Sequence, residues 1–532
     1  MTASLPIPPD IDALSDAELR DFVLCLLEDH ARLAAEVAAL RAEVARLNGL
    51  NSKPDIKASK PSGMEKGDKP PPKDKEKKRG RGAKHHPRER IENQILKATD
   101  IPPNSRFKGY EDFTIQDVKI VVRTIRYRRE RWLTPDGRTI LAPLPPGVEG
   151  HFGPELKRFI LAQYHQGQTT IPRLVTLLQS IGFAISKRQV VRILTESKSN
   201  DQFMTEAKAV LRTGLAQGDW ISVDDTGARH KGRNGFCTQI GNDRFTFFAT
   251  TTSKNRGNFL DLLRAGRQDY VLNEQAFAHM RRRNLSAAAI DVLMAHPART
   301  FPNAAAWQAH LAALGLTGQT SQATIATEAA LWGTIADDSL LDGTVIVSDD
   351  AGQFNVGKHA LCWVHAERLI HKLDAFTATA RTAKEAVRGQ VWDFFTELKA
   401  WRLNPEPYRK PELQAHFDTI FQQKTGFVTL DRLLARLHAN KAELLMVLEH
   451  PKIPLHTNGS ENDIRDRVTR RDLSGTTRSD RGRDCLDSFL GLKKTCHKLG
   501  VSFWDYLGSR LRAITEHIVP PLPDLIKAHS DP

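Results

Sequence analysis

Trp220-Ile-Ser-Val-Asp-Asp-Thr-Gly227 and Thr344-Val-Ile-Val-Ser-Asp-Asp-Ala-Gly352 are two short apolar runs, each closing on a pair of aspartates. Brief β-branched runs bounded by turn residues read as buried strands. Phe236 to Ile240 and Phe245 to Thr250 follow the first run, separated by Gly241-Asn242-Asp243. Together they predict a three-stranded meander. His359 to Trp363 predicts a short neighbour of the second run, leading into a helix from about Ala366. Residues 271–340 are Ala-rich and helical in pattern, as are residues 376–450. Strands interleaved with helical stretches predict an α/β fold.

The acidic residues point to chemistry. Asp224 closes one expected strand and Asp349 another, while Glu461 lies in Leu455-His-Thr-Asn-Gly-Ser-Glu-Asn-Asp-Ile-Arg465. There Asn458 or Ser460 is expected to cap a helix with Glu461 in its first turn. Carboxylates just past the ends of neighbouring parallel strands project into the crevice above a sheet. Two brought together there repel unless a cation lies between them. Oxygen-only ligands suit Mg²⁺, or Mn²⁺, and two such ions can clamp the attacking and leaving oxygens of a phosphodiester. Aspartates at strand ends also serve turns, and glutamates at helix starts serve capping. The pattern alone leaves both readings open, as it does Asp224 against Asp225 and Asp349 against Asp350.

Around this core the chain changes character. Leu26, Leu33, Leu40 and Leu47 recur every seven residues, with Val23, His30, Val37 and Val44 three before each. Valine at a and leucine at d predict a parallel two-stranded coil over residues 1–50, hence a homodimer or higher homo-oligomer. Residues 51–95 read as a disordered linker; 51–90 hold 14 Lys/Arg and 6 Asp/Glu, suited to phosphates without sequence readout. Residues 96–150 read as a small β-rich segment, with a strand expected over 114–129, turn chemistry over Trp132–Gly137 and a return strand over Arg138–Leu141. Residues 151–200 read as a helix-turn-helix. Gly182 breaks one helix and Ser186 caps the next, with Lys187, Arg188, Gln189 and Arg192 facing out towards a DNA major groove. A catalytic domain over 201–515 and a tail over 516–532 complete the expected order.

Cys362 and His365 are too few for a zinc site and read as core packing with a histidine hydrogen bond. Arg465, one turn beyond Glu461, can orient that carboxylate or form a simple ion pair with it. Arg478 and Arg481 sit in an arginine-rich stretch expected near a DNA end.

Composition sets the limits. The 532 residues are 40% hydrophobic and 26% charged, with a formal charge of +14. These values exclude wholesale disorder, and the surplus suggests a polyanionic partner. Five widely spaced cysteines without a C-x-x-C argue against a disulfide scaffold or zinc ribbon. The opening residues do not read as a secretory signal and no apolar run reaches bilayer length. The expected setting is the cytoplasm, with no membrane partner.

The order of motifs resembles the IS66 family of insertion-sequence transposases. VDDTG at 223–227, VSDDAGQFN at 347–355, CWVHAER at 362–368, LHTNGSENDIR at 455–465 and the segment 479–507 each resemble family motifs. NSKP at 51–54 after the coil resembles the family's usual opening. The cysteine-rich zinc segment that members often carry is missing. The resemblance implies an RNase H-like mixed sheet flanked by helices, with helical insertions at about 271–340 and 376–450. It implies a DDE triad of Asp224, Asp349 and Glu461 holding two Mg²⁺ or Mn²⁺ ions, in a bacterial, nucleoid-associated protein. The implied activity is metal-dependent cleavage and strand transfer on double-stranded DNA, both element ends and target, with accessory proteins of the element as further partners. Two alternatives stand beside it: an RNase H-like nuclease that cuts without joining, and a non-catalytic helix-turn-helix regulator.

Overall fold

The computed structural model describes Ser15 and residues 94–529, apart from 116, 119, 317–320 and 515–516. The expected coil and nearly all of the basic linker lie outside the described residues.

Strands β1 (Arg131–Leu133) and β2 (Thr139–Leu141) form an exposed antiparallel hairpin. The strand expected over 114–129 is not formed. This stretch has no strand partner among the described residues, and Val118, Ile120 and Val121 are exposed. Its β-branched composition favours a pleated surface only where a neighbour supplies the ladder.

Helices α1 (Pro154–His165), α2 (Ile171–Ser180) and α3 (Lys187–Thr195) follow. Ser186 caps α3 in a reciprocal box with Gln189, and Val190, Ile193 and Leu194 are buried. The long α4 (Lys198–Gln217) leads into the sheet.

The sheet comprises β3 (Trp220–His230), β4 (Arg233–Gly241), β5 (Thr246–Thr251), β8 (Val345–Ser348) and β9 (Lys358–Leu361). It is five-stranded and mixed, in the order β5-β4-β3-β8-β9. The first three strands are antiparallel, as the meander predicted, while β3–β8 and β8–β9 pair in parallel. All four residues of β8 are buried, as expected for a parallel strand covered on both faces.

Between β5 and β8 lies the expected insertion. It contains α5 (Arg256–Leu263), α6 (Glu274–Arg282), α7 (Ala287–Ala295), α8 (Ala304–Ala313) and α9 (Ser321–Asp337). A two-residue pair, β6 (Tyr270–Val271) with β7 (Thr300–Phe301), joins the stretch before α6 to the stretch before α8. After β9 come α10 (Trp363–His371), α11 (Ala378–Leu403), α12 (Lys410–Gln422) and α13 (Val428–Ala439). They share a core with β8 and β9 in which Trp363, Phe394, Phe417 and Phe421 are buried. Each buried phenylalanine contributes roughly 1.5–3 kcal/mol of transfer free energy.

A short helix, α14 (Lys441–Leu444), precedes α15 (Asn458–Ser474), α16 (Asp480–Lys498), α17 (Phe503–Leu511) and α18 (Leu522–Ala528). The segment expected as a tail is therefore partly helical, with Leu522 and Ile526 buried. No helix among the described residues is long and apolar enough to cross a membrane.

Candidate active site

The first aspartate does not end its strand. β3 runs on to His230, held throughout by its ladder with β4. What ends is the parallel pairing, since β8 lies beside β3 only over Trp220–Ser222. Asp224 therefore stands two residues past the end of that pairing, and Asp349 directly follows β8. The crevice expected at a strand end forms where one neighbour stops.

Successive strand residues face opposite ways, and the two aspartates of 224–225 are separated by this rule. Asp225 accepts hydrogen bonds from its cross-strand partner Thr238 (2.5 Å) and from Gln353 (3.0 Å). Asp224 accepts from the adjacent Asp225 backbone N–H at 2.7 Å. Burial first, then Asp349 and Glu461, push its carboxyl up to about 7, against the opposing effects of that N–H and of His365. Three carboxylates from distant points of the chain thus share one electrostatic neighbourhood. Asp350 points elsewhere, exposed, with Arg436 at 3.5 Å.

Glu461 sits in the first turn of α15 as expected, but neither proposed residue caps the helix. Thr457 holds the N-cap position, and Ser460 instead donates to the Ser222 hydroxyl at 2.6 Å. This bond sets the start of α15 beside the strand residue two before Asp224. Asp463 fixes the next turn by accepting from Thr246 (2.7 Å), Lys498 (2.7 Å) and Gln239 (3.4 Å). Gln239 is directly across the ladder from Asp224.

The partner of Glu461 is Arg368, not Arg465. Arg368 donates from Nη1 at 2.9 Å and Nη2 at 3.5 Å, while Arg465 is exposed. His365 Nε2 lies 3.6 Å from Glu461. Burial disfavours the imidazolium of His365, but Cys362, Glu461 and Asp349 outweigh it and raise its pKa to about 9. His365 thus belongs to the site rather than to the core, whereas Cys362 is buried. The signal was present in the spacing: residues three apart share a helix face, and His365 and Arg368 lie on the same turn of α10. Glu367, between them, faces away and pairs with Arg388 on α11 at 2.7 Å.

The donor chemistry, all carboxylate oxygen, fits a hard divalent cation such as Mg²⁺ or Mn²⁺. The arrangement is nevertheless open: among the described residues no three His, Cys, Asp or Glu side chains are gathered closely enough to hold one ion. Arg368 occupies Glu461 instead.

The expected DNA-contacting residues divide. Lys187, Arg188 and Arg192 are exposed on α3, although Arg192 has Glu196 at 3.6 Å. Gln189 is committed to the cap of its own helix, its side chain accepting from the Ser186 N–H at 2.8 Å. Arg478 is exposed. Arg481 instead fastens α16 to the end of α3, donating to the Thr195 carbonyl (2.5 Å) and Asp201 (2.8 Å).

Comparison with known proteins agrees with the motif order. A family profile described as "Transposase IS66 family" matches residues 318–484, a span containing Asp349, Arg368 and Glu461. The chain is also 48% identical over 320 residues to the uncharacterized protein y4jO of Sinorhizobium fredii (strain NBRC 101917 / NGR234). That match covers 60% of this chain and 99% of the relative. Over residues 318–484, the span of the profile match, the chain belongs to the IS66 family of transposases.

Proposed function

We propose that the chain is a DDE-type transposase with an RNase H-like core, and that it cleaves DNA at the ends of its element and joins them to a target. The observation that carries this reading is geometric: Asp224 stands just past the end of the β3–β8 pairing, Asp349 directly follows β8, and the Ser460–Ser222 bond seats the helix turn bearing Glu461 beside them. The order of three antiparallel and two parallel strands supports the RNase H-like assignment.

Asp224, Asp349 and Glu461 would hold Mg²⁺ or Mn²⁺, which supplies neutralisation of the charge developing on phosphodiester oxygens. The protein's own part is positioning and electrostatics. β3 and β8 hold two carboxylates on a rigid sheet. The contacts of Ser460 and Asp463 hold the third. Arg368 and His365 place positive charge beside it. The exposed face of α3 is the proposed duplex-binding surface, with Lys187, Arg188 and Arg192 as contacts.

Asp224→Asn, Asp349→Asn and Glu461→Gln should each abolish divalent-dependent cleavage of element-end DNA while leaving duplex binding near wild type. Strand-transfer products from the wild type separate a transposase from a nuclease that only cuts. Cleavage retained in any of the three variants removes that residue from the site. Cleavage retained in Asp349→Asn but lost in Asp350→Asn moves the assignment by one position.

A further inference from the structure

β3 and β4 outrun their neighbours. β8 leaves β3 after Ser222, and the pairing of β5 with β4 reaches only as far as Phe236. Beyond that point Ala228–His230 and Arg233–Gly235 continue as a two-stranded ribbon. Its turn places Lys231 at φ 50° and Gly232 at φ 76°. Positive φ at both central residues is the mark of a type I′ turn, whose twist matches the strands it joins.

The ribbon tip is basic and braced. Arg229, Lys231 and Arg233 are exposed. The Lys231 N–H donates to the Thr477 carbonyl at 2.8 Å, and the Thr477 N–H donates to the Arg229 carbonyl at 3.1 Å. The His230 ring sits between the Thr477 hydroxyl and Asp480, each at 2.9 Å. Arg471 of α15 donates to the Gly227 carbonyl at 2.6 Å. The brace brings Arg478, next to Thr477, to the tip. The acid in these contacts, Asp480, is shared among His230, Lys231 and Arg483.

We propose that this ribbon is a DNA-contacting arm, in which Arg229, Lys231, Arg233 and Arg478 hold duplex phosphates beside the acidic centre. The inference rests on the reading of the chain as a protein that acts on DNA. Alternation puts His230 on the face of β3 that carries Asp224, and Arg233 opposite His230; Arg229 points to the other face. Cations on both faces suit a ribbon in a major groove, which admits two strands and has phosphates on both walls. Arg229 lies five residues along β3 from Asp224, about 17 Å at about 3.4 Å per residue. That is about five base pairs of duplex at about 3.4 Å each. A phosphate at Asp224 thus leaves the neighbouring duplex within reach of the tip. A braced ribbon also loses less conformational freedom on binding than a mobile loop.

The test uses the full chain with all four residues changed: Arg229→Gln, Lys231→Gln, Arg233→Gln and Arg478→Gln. Binding to a short labelled duplex of arbitrary sequence is followed by fluorescence anisotropy across a salt series. Each lost phosphate contact should flatten the slope of log K against log salt by about 0.9, giving up to about 3.6 for four. Affinity at low salt should fall at least tenfold. A companion with Arg229→Lys, Arg233→Lys and Arg478→Lys keeps the charges and should retain the wild-type slope. A glutamine variant with wild-type slope and affinity overturns the proposal, as does a lysine variant that loses as much binding. Wild-type chain that binds no duplex overturns the functional reading itself, whereas wild type that cleaves DNA while the glutamine variant binds normally overturns the ribbon alone.

Discussion

Arg368 gives Glu461 a cationic partner where neither side chain is fully hydrated; the two retain 16% and 19% of their side-chain exposure. Removing one member of such a pair costs more than the pair is worth, because the other stays desolvated and unpaired. Arg368→Gln should therefore lower stability by about 1–3 kcal/mol, the cost of leaving a buried polar group without its partner. Urea denaturation of the single variant and of Arg368→Gln with Glu461→Gln checks this. The double variant should regain much of the loss, since no charge is then left alone. A single variant as stable as wild type would mean that the pair is not formed in solution. Residue identity was well marked in the sequence here, but facing was not. The Asp-Asp doublets of 224–225 and 349–350 are symmetrical on paper. Only Thr238, Gln353 and Arg436 show which member is engaged elsewhere.

At the scale of elements, α15 is the part whose docking decides whether a third carboxylate arrives. Its anchor is Asp463, buried against Lys498, Thr246 and Gln239. Burial lowers the Lys498 pKa, opposed mainly by Asp463. Asp463→Ala would leave that ammonium without its main compensating charge, at a cost of about 3–5 kcal/mol. Hydrogen exchange should show amides of 458–474 losing protection before those of the sheet, and unchanged protection there would refute the anchoring role. The meander, β8, β9 and the helix carrying Glu461 were all legible from apolar runs and turn residues. The end of β3 was misread because Asp-Asp looks like a terminus, whereas the ladder to β4 carries the strand through it. Residues 114–129 failed in the opposite direction, their composition being right for a strand with no edge to join. Anchors such as Asp463–Lys498 join residues far apart in sequence, and no local pattern announces them.

For the whole molecule, self-association was read from the heptad over 20–48 within residues 1–50, and that heptad lies outside the described residues. If the heptad pairs protomers, Leu33→Lys with Leu40→Lys buries charge at the seam and should reduce the molar mass in solution from dimer to monomer. Light scattering on both chains measures it, and a double variant of wild-type mass would exclude the coil as the interface. The described part is bound together from its two ends. Arg158 of α1 donates to the Trp504 carbonyl at 2.9 Å and the Ile514 carbonyl at 3.0 Å. Glu206 of α4 accepts from Tyr506 (2.9 Å) and Arg510 (2.8 Å) on α17, and from the Leu522 N–H at the start of α18 (3.0 Å). The helices proposed to hold DNA are thus tied to segments far along the chain, and the helix that delivers Glu461 leans on α16, where Lys493 meets Asp466 at 2.6 Å. A chain that stops before α17 lacks every one of these partners of Arg158 and Glu206, and with them a finished grip. Such fragments should be inert in the cell rather than poisoning the intact protein by competing with it for element ends.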